Sequence, residues 1–326
     1  MQASAPLSIA RTLRYLVESA GFFALMGLFE ALGIDRASAL GGFMGRHVFY
    51  RLPPARTARA NLKAAFPEKS HDEIESIVRA VCENLGRVVA EYAHLDELTI
   101  RPGGRIEVVG VENIEAAKAT GKGVMFISGH FANWETMPVT AERLGLEGAI
   151  VYRPPNNPAV DRYVSRMRAK GGPKEQISKG AKGTRRIFTL LRRGKCILML
   201  VDQKTWEGVP APFFGREAMT TPAPASLALK LGAILLPASA ERLGGAHFRV
   251  RIYPPVAFAA TGNSERDVLD LTAKINATIE AMVRERPSQW LWTHHRWITK
   301  RDLAKMKHYA RGGSDVRVER DGSSLT

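Results

Sequence analysis

The sequence predicts an α/β fold: a mostly parallel central sheet flanked by helices on both faces, preceded by an N-terminal apolar helical region. Three features support this prediction. An apolar stretch lies near the N-terminus, a long amphipathic segment follows it, and from about residue 105 short apolar runs alternate with helix-like segments. Strands that alternate with helices form parallel sheets, because each helix carries the chain back across one face of the sheet.

The apolar stretch near the N-terminus spans residues 13–34, but Glu18 and Glu30 leave only eleven uncharged residues between them. An unbroken transmembrane helix needs about 20 apolar residues. Arg11 and Arg14 suit a helix that lies in the plane of the lipid headgroups. A tilted transmembrane helix and a buried core helix are the alternatives. We expect this stretch to associate with a membrane, either by spanning it or by lying on its surface.

The later elements are predicted from capping residues and apolar periodicity. Ser70 and Glu73 form a capping-box pattern at the start of a helix over 71–94. A buried strand at 124–127 is followed by a turn and by a helix that continues to about residue 143. Further helices are predicted at 158–170, 183–193, 223–231 and 264–286, and further strands at 149–152, 196–201, 233–240 and 248–253.

Charge and cysteine content limit the classes of partner. The chain has 47 Lys and Arg against 32 Asp and Glu, a formal net charge of +15. Such a surplus attracts lipid headgroups, phosphorylated glycolipids, acidic proteins or nucleic acid. The sequence has no zinc-finger spacing and no RNA-binding aromatic–basic signature, so we do not expect nucleic acid. Cys82 and Cys196 lack metal or redox spacing and are expected to be reduced and buried.

The segment with the most chemical information is Gly-His-Phe-Ala-Asn-Trp-Glu at 129–135. It follows a buried strand, where ligands bind in parallel α/β sheets. If His130 lies in the turn and Glu135 in the first helical turns, the carboxylate can accept a hydrogen bond from the imidazole and fix its tautomer. The other ring nitrogen can then take a proton from a hydroxyl group. The alternative for His130 is a capping or core histidine.

Two other kinds of chemistry are not expected at this segment. Ser128 precedes it on the strand, and alternation along a strand should point its side chain to the opposite side, which argues against a nucleophilic role. The spacing of His130 and Glu135 differs from the i, i+4 spacing of metal ligands on a helix. We therefore expect no metal and no cofactor.

The same segment matches the His-x4-Asp/Glu motif of the glycerolipid acyltransferase superfamily and resembles the lauroyl/myristoyl acyltransferases of lipid A biosynthesis. Further fragments resemble that branch in the same order over roughly 55–300: Asn61-Leu62, Phe66-Pro67, Tyr152-Arg153-Pro154, Asn157-Pro158, Arg166-Met167-Arg168, Val201-Asp202-Gln203, Pro212-Phe213-Phe214-Gly215, Thr220-Thr221, Gln289-Trp290-Leu291-Trp292 and His295-Arg296. The wider superfamily's Pro-Glu-Gly phosphate-binding block is absent, and the region around Asp202 takes its place.

The resemblance implies an acyltransferase that moves a fatty acyl chain from an acyl carrier protein thioester to a hydroxyl of a lipid A precursor. It implies His130 and Glu135 as the catalytic dyad, with Arg166 and Asp202 as further functional residues. Backbone amides at the start of the helix, or Arg166, would stabilise the oxyanion. The alternatives are another bacterial lipid acceptor, such as a lysophospholipid, a mannosylated lipid or an ornithine lipid, and an inactive membrane-associated scaffold.

The resemblance also implies a domain organisation and a location. Residues 1–50 would form membrane-associated helices, 51–311 the acyltransferase domain and 312–326 a disordered tail. The protein would lie at the bacterial inner membrane, on an anionic membrane surface, with its catalytic domain on the cytoplasmic face.

Basic and aromatic residues supply further candidates. Residues 162–195 hold twelve Lys or Arg and one acid, Glu175, which is usually a solvated surface. From this region and the strand before it, Arg166 and Arg153 are the expected phosphate-binding residues, because arginine binds phosphate in a bidentate manner. Asp202 and Gln203 follow a buried strand and are expected to bind substrate, with a helix cap at Asp202 as the alternative.

Two aromatic groups allow more than one interpretation. Phe213 and Phe214 would line an acyl groove or pack in the core. Trp290, Trp292 and Trp297 suit an interfacial belt or a core corner, and no catalytic role is expected for them.

Overall fold

The structure is a computed structural model that describes residues 9–299, with side chains from residue 10 onward. The predicted tail at 312–326 lies outside this range. The helices are α1 (Ile9–His47), α2 (Pro53–Ala65), α3 (His71–Glu91), α4 (Val111–Ala119), α5 (Thr136–Arg143), α6 (Pro158–Gly171), α7 (Ala181–Arg192), α8 (Ala223–Leu231) and α9 (Ser264–Glu285). The strands are β1 (Ile106–Val109), β2 (Val124–Ser128), β3 (Gly148–Tyr152), β4 (Gln176–Ser178), β5 (Cys196–Leu200), β6 (Val209–Phe213), β7 (Arg216–Thr220), β8 (Ile234–Gly244) and β9 (His247–Ile252).

Seven of these strands form one sheet in the order β1-β9-β8-β2-β5-β3-β4, and β6 pairs with β7 in an antiparallel hairpin. Neighbours in the large sheet are parallel except β8 and β9. Those two strands are antiparallel because a tight turn joins them, whereas parallel neighbours need a longer crossover. The predicted α/β fold with a mostly parallel sheet is confirmed.

The central strand β2 shows how the sheet separates two cores. Met125 and Ile127 pack into a cluster with α2, α3, α7, α8 and α9. Val124 and Phe126 pack into a second cluster with α1, α4, α5 and α6. The alternation follows from the strand itself, in which successive side chains point to opposite faces. Every residue of β2 is buried, as expected for a strand covered on both sides.

Helix α1 is interrupted at Gly33, whose φ of 70° and ψ of 160° divide it into two helical halves. Glycine adopts a positive φ without steric cost. In the N-terminal half, Leu13, Leu16 and Val17 are exposed by 62%, 63% and 68%. By length and composition, Ala10–Arg51 is the one helical region of the described chain that could cross a membrane, and few of its apolar residues are buried. This half of α1 is therefore not the buried core helix that was one alternative.

The C-terminal half of α1 packs against α3 through glycines. A Cβ placed on Gly86 would lie 2.0 Å from the carbonyl oxygen of Gly41, and one on Gly45 would lie 2.1 Å from that of Cys82. Small residues of this kind let two helix backbones approach closely. The contact joins the apolar N-terminal region to the rest of the protein without an intervening side chain.

We expect Gly86→Ala to destabilise the protein by about 1–3 kcal/mol, the usual cost of overpacking, because the new methyl group would collide with backbone rather than with a flexible side chain. Thermal unfolding of the purified protein in detergent would measure the loss. Gly21→Ala on α1 is the matched control, since nothing lies within 4 Å of a Cβ there. Equal melting temperatures for the two variants would contradict the proposed role of this helix contact.

Candidate functional site

The site begins where two adjacent parallel strands end. Ser128 of β2 is paired with Leu200 of β5 in the sheet. His130 and Asp202 each lie two residues beyond that pair, so the register of the sheet places them side by side. The β2 and β5 ends therefore bring together a histidine and a carboxylate that are 72 positions apart in sequence.

Two hydrogen bonds join these residues. His130 Nδ1 lies 2.8 Å from Asp202 Oδ1, and the backbone N–H of His130 donates to Oδ2 over 2.7 Å. Burial alone would raise the pKa of Asp202, but the charge and hydrogen bonds of His130 outweigh it and lower the pKa to about 2. A carboxylate facing Nδ1 holds the proton on that nitrogen and leaves Nε2 as an acceptor. Gln203 Nε2 is 3.4 Å from His130 Nε2.

The C-terminal part of the described chain holds this turn in place. Leu291 N–H donates to the carbonyl of His130, and Ala132 N–H donates to that of Gln289. Ala132 has a φ of 44°, a conformation that few non-glycine residues adopt, and these contacts fix it. The indole of Trp290 donates to Asp202 Oδ2 over 2.7 Å. Trp290 is therefore a core residue that orients the carboxylate, rather than part of an interfacial belt.

Gly129 is needed for close approach. A Cβ at this position would lie 2.9 Å from Asp202 Oδ2 and equally close to the ring of Phe131. Its φ is not positive, so the tight turn itself does not require glycine. The absence of a side chain lets the carboxylate reach the backbone of His130.

The predicted hydrogen bond between Glu135 and His130 is wrong. Arg168 donates from Nε and Nη2 to the two oxygens of Glu135, over 2.9 and 2.6 Å. The hydroxyl of Tyr92 and the indole of Trp134 donate to the same carboxylate. The prediction places Glu135 in the first turns of a helix, but α5 begins only at Thr136, and residues 130–135 form a turn. Glu135 therefore turns into the protein, where it contacts Tyr92, just after α3, and Arg168 of α6.

Charge compensation makes this buried cluster possible. Burial alone would raise the pKa of Glu135, but the charge of Arg168 lowers it below its ordinary value. Burial alone would also lower the pKa of Arg168, and Glu135 raises it instead. Removing one partner of such a buried ion pair destabilises the folded protein by roughly 3–5 kcal/mol, because the remaining charge is left buried without compensation.

The arginine chosen from the sequence also needs correction. Arg166 lies on the exposed side of α6, with its guanidinium 5.8 Å from the ring of Tyr163, and it does not line the cavity beside His130. Arg168, two positions later, lines that cavity. Both arginines flank the buried Met167, one on each side of the helix, so apolar periodicity alone could not choose between them.

A cavity of about 510 Å³ opens beside His130, between the sheet and helices α5 and α6. Arg153 and Gln203 line it, as do Lys179 and His294. The sequence predicts that Asp202 binds substrate, but the residue lies beneath His130 with 4% exposure. This position lets it orient the imidazole rather than touch substrate. Most other lining residues are apolar. They include Phe126, Met137, Leu144, Ile150, Leu198 and Ile252.

Electrostatics differ along the cavity wall. Partial burial and the nearby charge of Arg153 lower the pKa of Lys179. Burial and the neighbouring His130 lower the pKa of His294 to about 4, so it is uncharged near neutral pH. Arg153 and Lys179 thus hold two like charges close together on the cavity wall, and a bound anion would reduce their repulsion.

Four backbone amides after β2 are already occupied. The N–H groups of His130, Phe131, Ala132 and Glu135 donate to Asp202, Gly129, Gln289 and Asn133. These four amides are therefore not free to form the predicted oxyanion hole.

Two other sequence candidates make structural contacts. Ser128 lines the cavity, but its hydroxyl donates to the carbonyl of Ala238 over 2.6 Å. Phe213 and Phe214 do not line the cavity and pack in the core on the other face of the sheet, against Trp297 and Phe66. Of the alternatives for this phenylalanine pair, packing is confirmed.

A family model described as "Bacterial lipid A biosynthesis acyltransferase" matches residues 8–299. The chain is 27% identical over 256 residues to a lipid A biosynthesis lauroyltransferase of Escherichia coli, covering 76% of this chain and 79% of that protein. A lipid A biosynthesis palmitoleoyltransferase of the same organism is 27% identical over 253 residues, or 74% and 78% of the two chains. A phosphatidylinositol mannoside acyltransferase of Mycobacterium tuberculosis is 22% identical over 306 residues, or 92% and 93%. Because the family model covers most of the chain, the protein is an acyltransferase and belongs to the bacterial lipid A biosynthesis acyltransferase family.

Proposed function

We propose that the protein transfers a fatty acyl chain from the thioester of an acyl carrier protein to a hydroxyl of a lipid A precursor, with His130 as the general base. The observation that carries this proposal is the bond from His130 Nδ1 to Asp202, which leaves Nε2 facing the cavity. The cavity suits both substrates, because its basic residues fit a phosphorylated glycolipid and its apolar wall fits an acyl chain. The family and the names of the relatives from E. coli support lipid A as the acceptor.

In the proposed reaction, Nε2 of His130 takes the proton of the acceptor hydroxyl, and the oxygen attacks the thioester carbon. The tetrahedral intermediate collapses as the carbon–sulfur bond breaks, and the thiolate takes the proton back from the imidazolium. Asp202 remains ionised and stabilises that imidazolium. The acceptor is itself the nucleophile, so no acyl-enzyme is needed, which agrees with the engaged hydroxyl of Ser128.

Gln203 and Arg168 are the proposed donors to the developing oxyanion. The amide nitrogen of Gln203 lies 3.4 Å from His130 Nε2, the atom where proton transfer begins. Arg168 is held rigidly by two hydrogen bonds to Glu135, and a fixed cation needs little reorganisation during the reaction. In this proposal Glu135 contributes to the site by positioning Arg168, not His130.

Arg153 and Lys179 are proposed to bind a phosphate group of the acceptor. Both line the cavity, and the charge of Arg153 lowers the pKa of Lys179. A phosphate between them would remove that repulsion and add charge-assisted hydrogen bonds. Arg14 and Glu18 of α1 line the same cavity, so the acceptor would enter beside the apolar N-terminal helix.

Another bacterial lipid is the second candidate acceptor, favoured by the match to phosphatidylinositol mannoside acyltransferases over nearly the whole chain. Incubation with labelled acyl carrier protein and each acceptor separately, followed by mass spectrometry, would separate the two. We expect product with the lipid A precursor. Product only with a mannosylated lipid or a lysophospholipid would show that the second candidate is correct.

We propose that the protein works at the inner membrane, with the catalytic domain on the cytoplasmic face. The exposed apolar residues of α1 and the net charge of +15 suit an anionic bilayer surface. The proposed donor is a soluble carrier in the cytoplasm, which requires the cavity to open on that side.

We expect His130→Ala to fold and to lose activity by about a hundredfold or more, the usual contribution of a general base. Asp202→Asn should cause a loss of similar size in kcat with a smaller change in KM, because an amide favours the wrong tautomer of His130. Initial rates with acyl carrier protein thioester and lipid A precursor, alongside melting temperatures, would measure both. Full activity of folded His130→Ala would rule out the general-base mechanism.

Arg168→Lys should lower kcat/KM by at least about tenfold, because lysine keeps the charge but cannot form the bidentate contact with Glu135. Arg166→Lys is the matched control on the same helix and should leave the rate unchanged, since Arg166 is exposed and outside the cavity. Melting temperatures of both variants would show whether the loss comes from unfolding. The opposite order of effects would restore Arg166 as the functional arginine.

Leu16→Glu combined with Val17→Glu should weaken binding to vesicles that contain anionic lipid, because it places charge on the exposed apolar side of α1. Vesicle flotation would measure the bound fraction. Leu269→Glu on α9, which also replaces an exposed leucine, should bind like the unaltered protein. If both proteins bound equally well, α1 would not be the membrane contact.

A further inference from the structure

The cavity beside His130 crosses five neighbouring strands. Side chains from one face of β9, β8, β2, β5 and β3 line it, namely Ile252, Ala238, Phe126, Leu198 and Ile150. Adjacent strands are about 4.8 Å apart, so four spacings give a cavity roughly 19 Å wide. The basic residues Arg153 and Lys179 follow β3 and β4, whereas the lining side chains of β8 and β9 are apolar. We call the part over β8 and β9 the apolar arm.

Helix α5 covers the apolar arm and packs against β1, β8 and β9. Met137, Pro138, Thr140 and Ala141 of this helix line the cavity, as does Leu144 just after its end. Of these, Met137, Thr140, Ala141 and Leu144 follow one another at helical spacing. Positions separated by three or four residues lie on one face of a helix, so this face of α5 looks onto the sheet. Three of the four side chains are hydrocarbon or thioether, and Thr140 brings the only hydroxyl among them.

Two of the buried threonines in the described helices, Thr136 and Thr272, donate their hydroxyls to the carbonyls of Asn133 and Val268. Thr140 is the exception among the buried helical threonines. The residue is 2% exposed, and within the described chain its Oγ1 has no hydrogen-bond partner. Thr184, Thr189, Thr272 and Thr278 each donate their hydroxyl to the carbonyl one turn back, which is the usual arrangement in helices. Thr140 does not make that contact, although its own helix could provide it.

A buried hydroxyl without a partner destabilises the folded protein unless something bound beside it completes the hydrogen bond. In the proposed function, the group beside Thr140 is the acyl chain of the donor, which runs from the thioester at His130 into the apolar arm. We propose that Thr140 selects a donor whose acyl chain carries a hydroxyl group, and that it hydrogen-bonds that hydroxyl inside the arm. This inference rests on the proposed function.

The test compares dodecanoyl, 2-hydroxydodecanoyl and 3-hydroxydodecanoyl thioesters of acyl carrier protein as donors to the same acceptor. We expect at least one hydroxylated chain to be transferred with a kcat/KM about tenfold above the plain chain. In Thr140→Val, which has nearly the same shape, that ratio should fall to about one, because a site built to bind a hydroxyl discriminates through that bond. The melting temperature of Thr140→Val without bound substrate should equal or exceed that of the unaltered protein, since a buried hydroxyl without a partner has been removed.

Thr272→Val is the matched control, because Thr272 is fully buried on α9, outside the cavity, and bonds within its own helix. Its donor ratio should equal that of the unaltered protein. A preference for the plain chain, or a ratio that survives Thr140→Val, would overturn the proposal while leaving the acyltransferase mechanism intact. Loss of transfer from every donor would contradict the proposed function instead. Dissociation constants of free dodecanoic and hydroxydodecanoic acids would then test the Thr140 contact without turnover.

Discussion

The bond between His130 and Asp202 is the contact on which the rest of the site depends, and the sheet sets it. Each residue lies two positions beyond a paired residue of β2 or β5. A shift of one residue in that register would turn one side chain away from the other, because alternate residues of a strand face opposite sides. The proposed general base is therefore as well fixed as the core of the sheet, in which all residues of β2 are buried.

The carboxylate of the motif, Glu135, has a different task from Asp202. Glu135 lies five positions after His130 and would be its obvious partner if the chain became helical at once, but α5 starts only at Thr136. In the intervening turn the carboxylate enters the interior and meets Arg168. Two carboxylates thus each hold one basic side chain that lines the cavity, Asp202 the imidazole and Glu135 the guanidinium. In this arrangement the histidine and the acid of the motif contact the same cavity without direct contact between them.

The fold was predictable because its signals are local. A continuous apolar run at 124–127 marks β2, and the capping box of Ser70 and Glu73, present in the structure, marks the start of α3. The partner of His130 was not predictable, since it depends on which strand lies next to β2 in the sheet. The choice between Arg166 and Arg168 failed for a related reason: both flank a buried methionine, and only the position of the neighbouring elements decides which one reaches the cavity.

The contacts of α1 join its exposed apolar residues to a helix that lines the cavity. Asn157 caps α6 and also donates to the carbonyl of Tyr15, and Phe22 packs edge-on against Tyr163 of α6. The helix that bears the exposed apolar residues is therefore fixed to the same helix that carries Arg168. A lipid acceptor held in the headgroup layer would have its hydrocarbon chains in the bilayer and its phosphates near the basic mouth. Such an acceptor could reach His130 without being extracted fully from the membrane, so the cost of exposing its chains to water, about 0.8 kcal/mol per methylene, would largely be avoided.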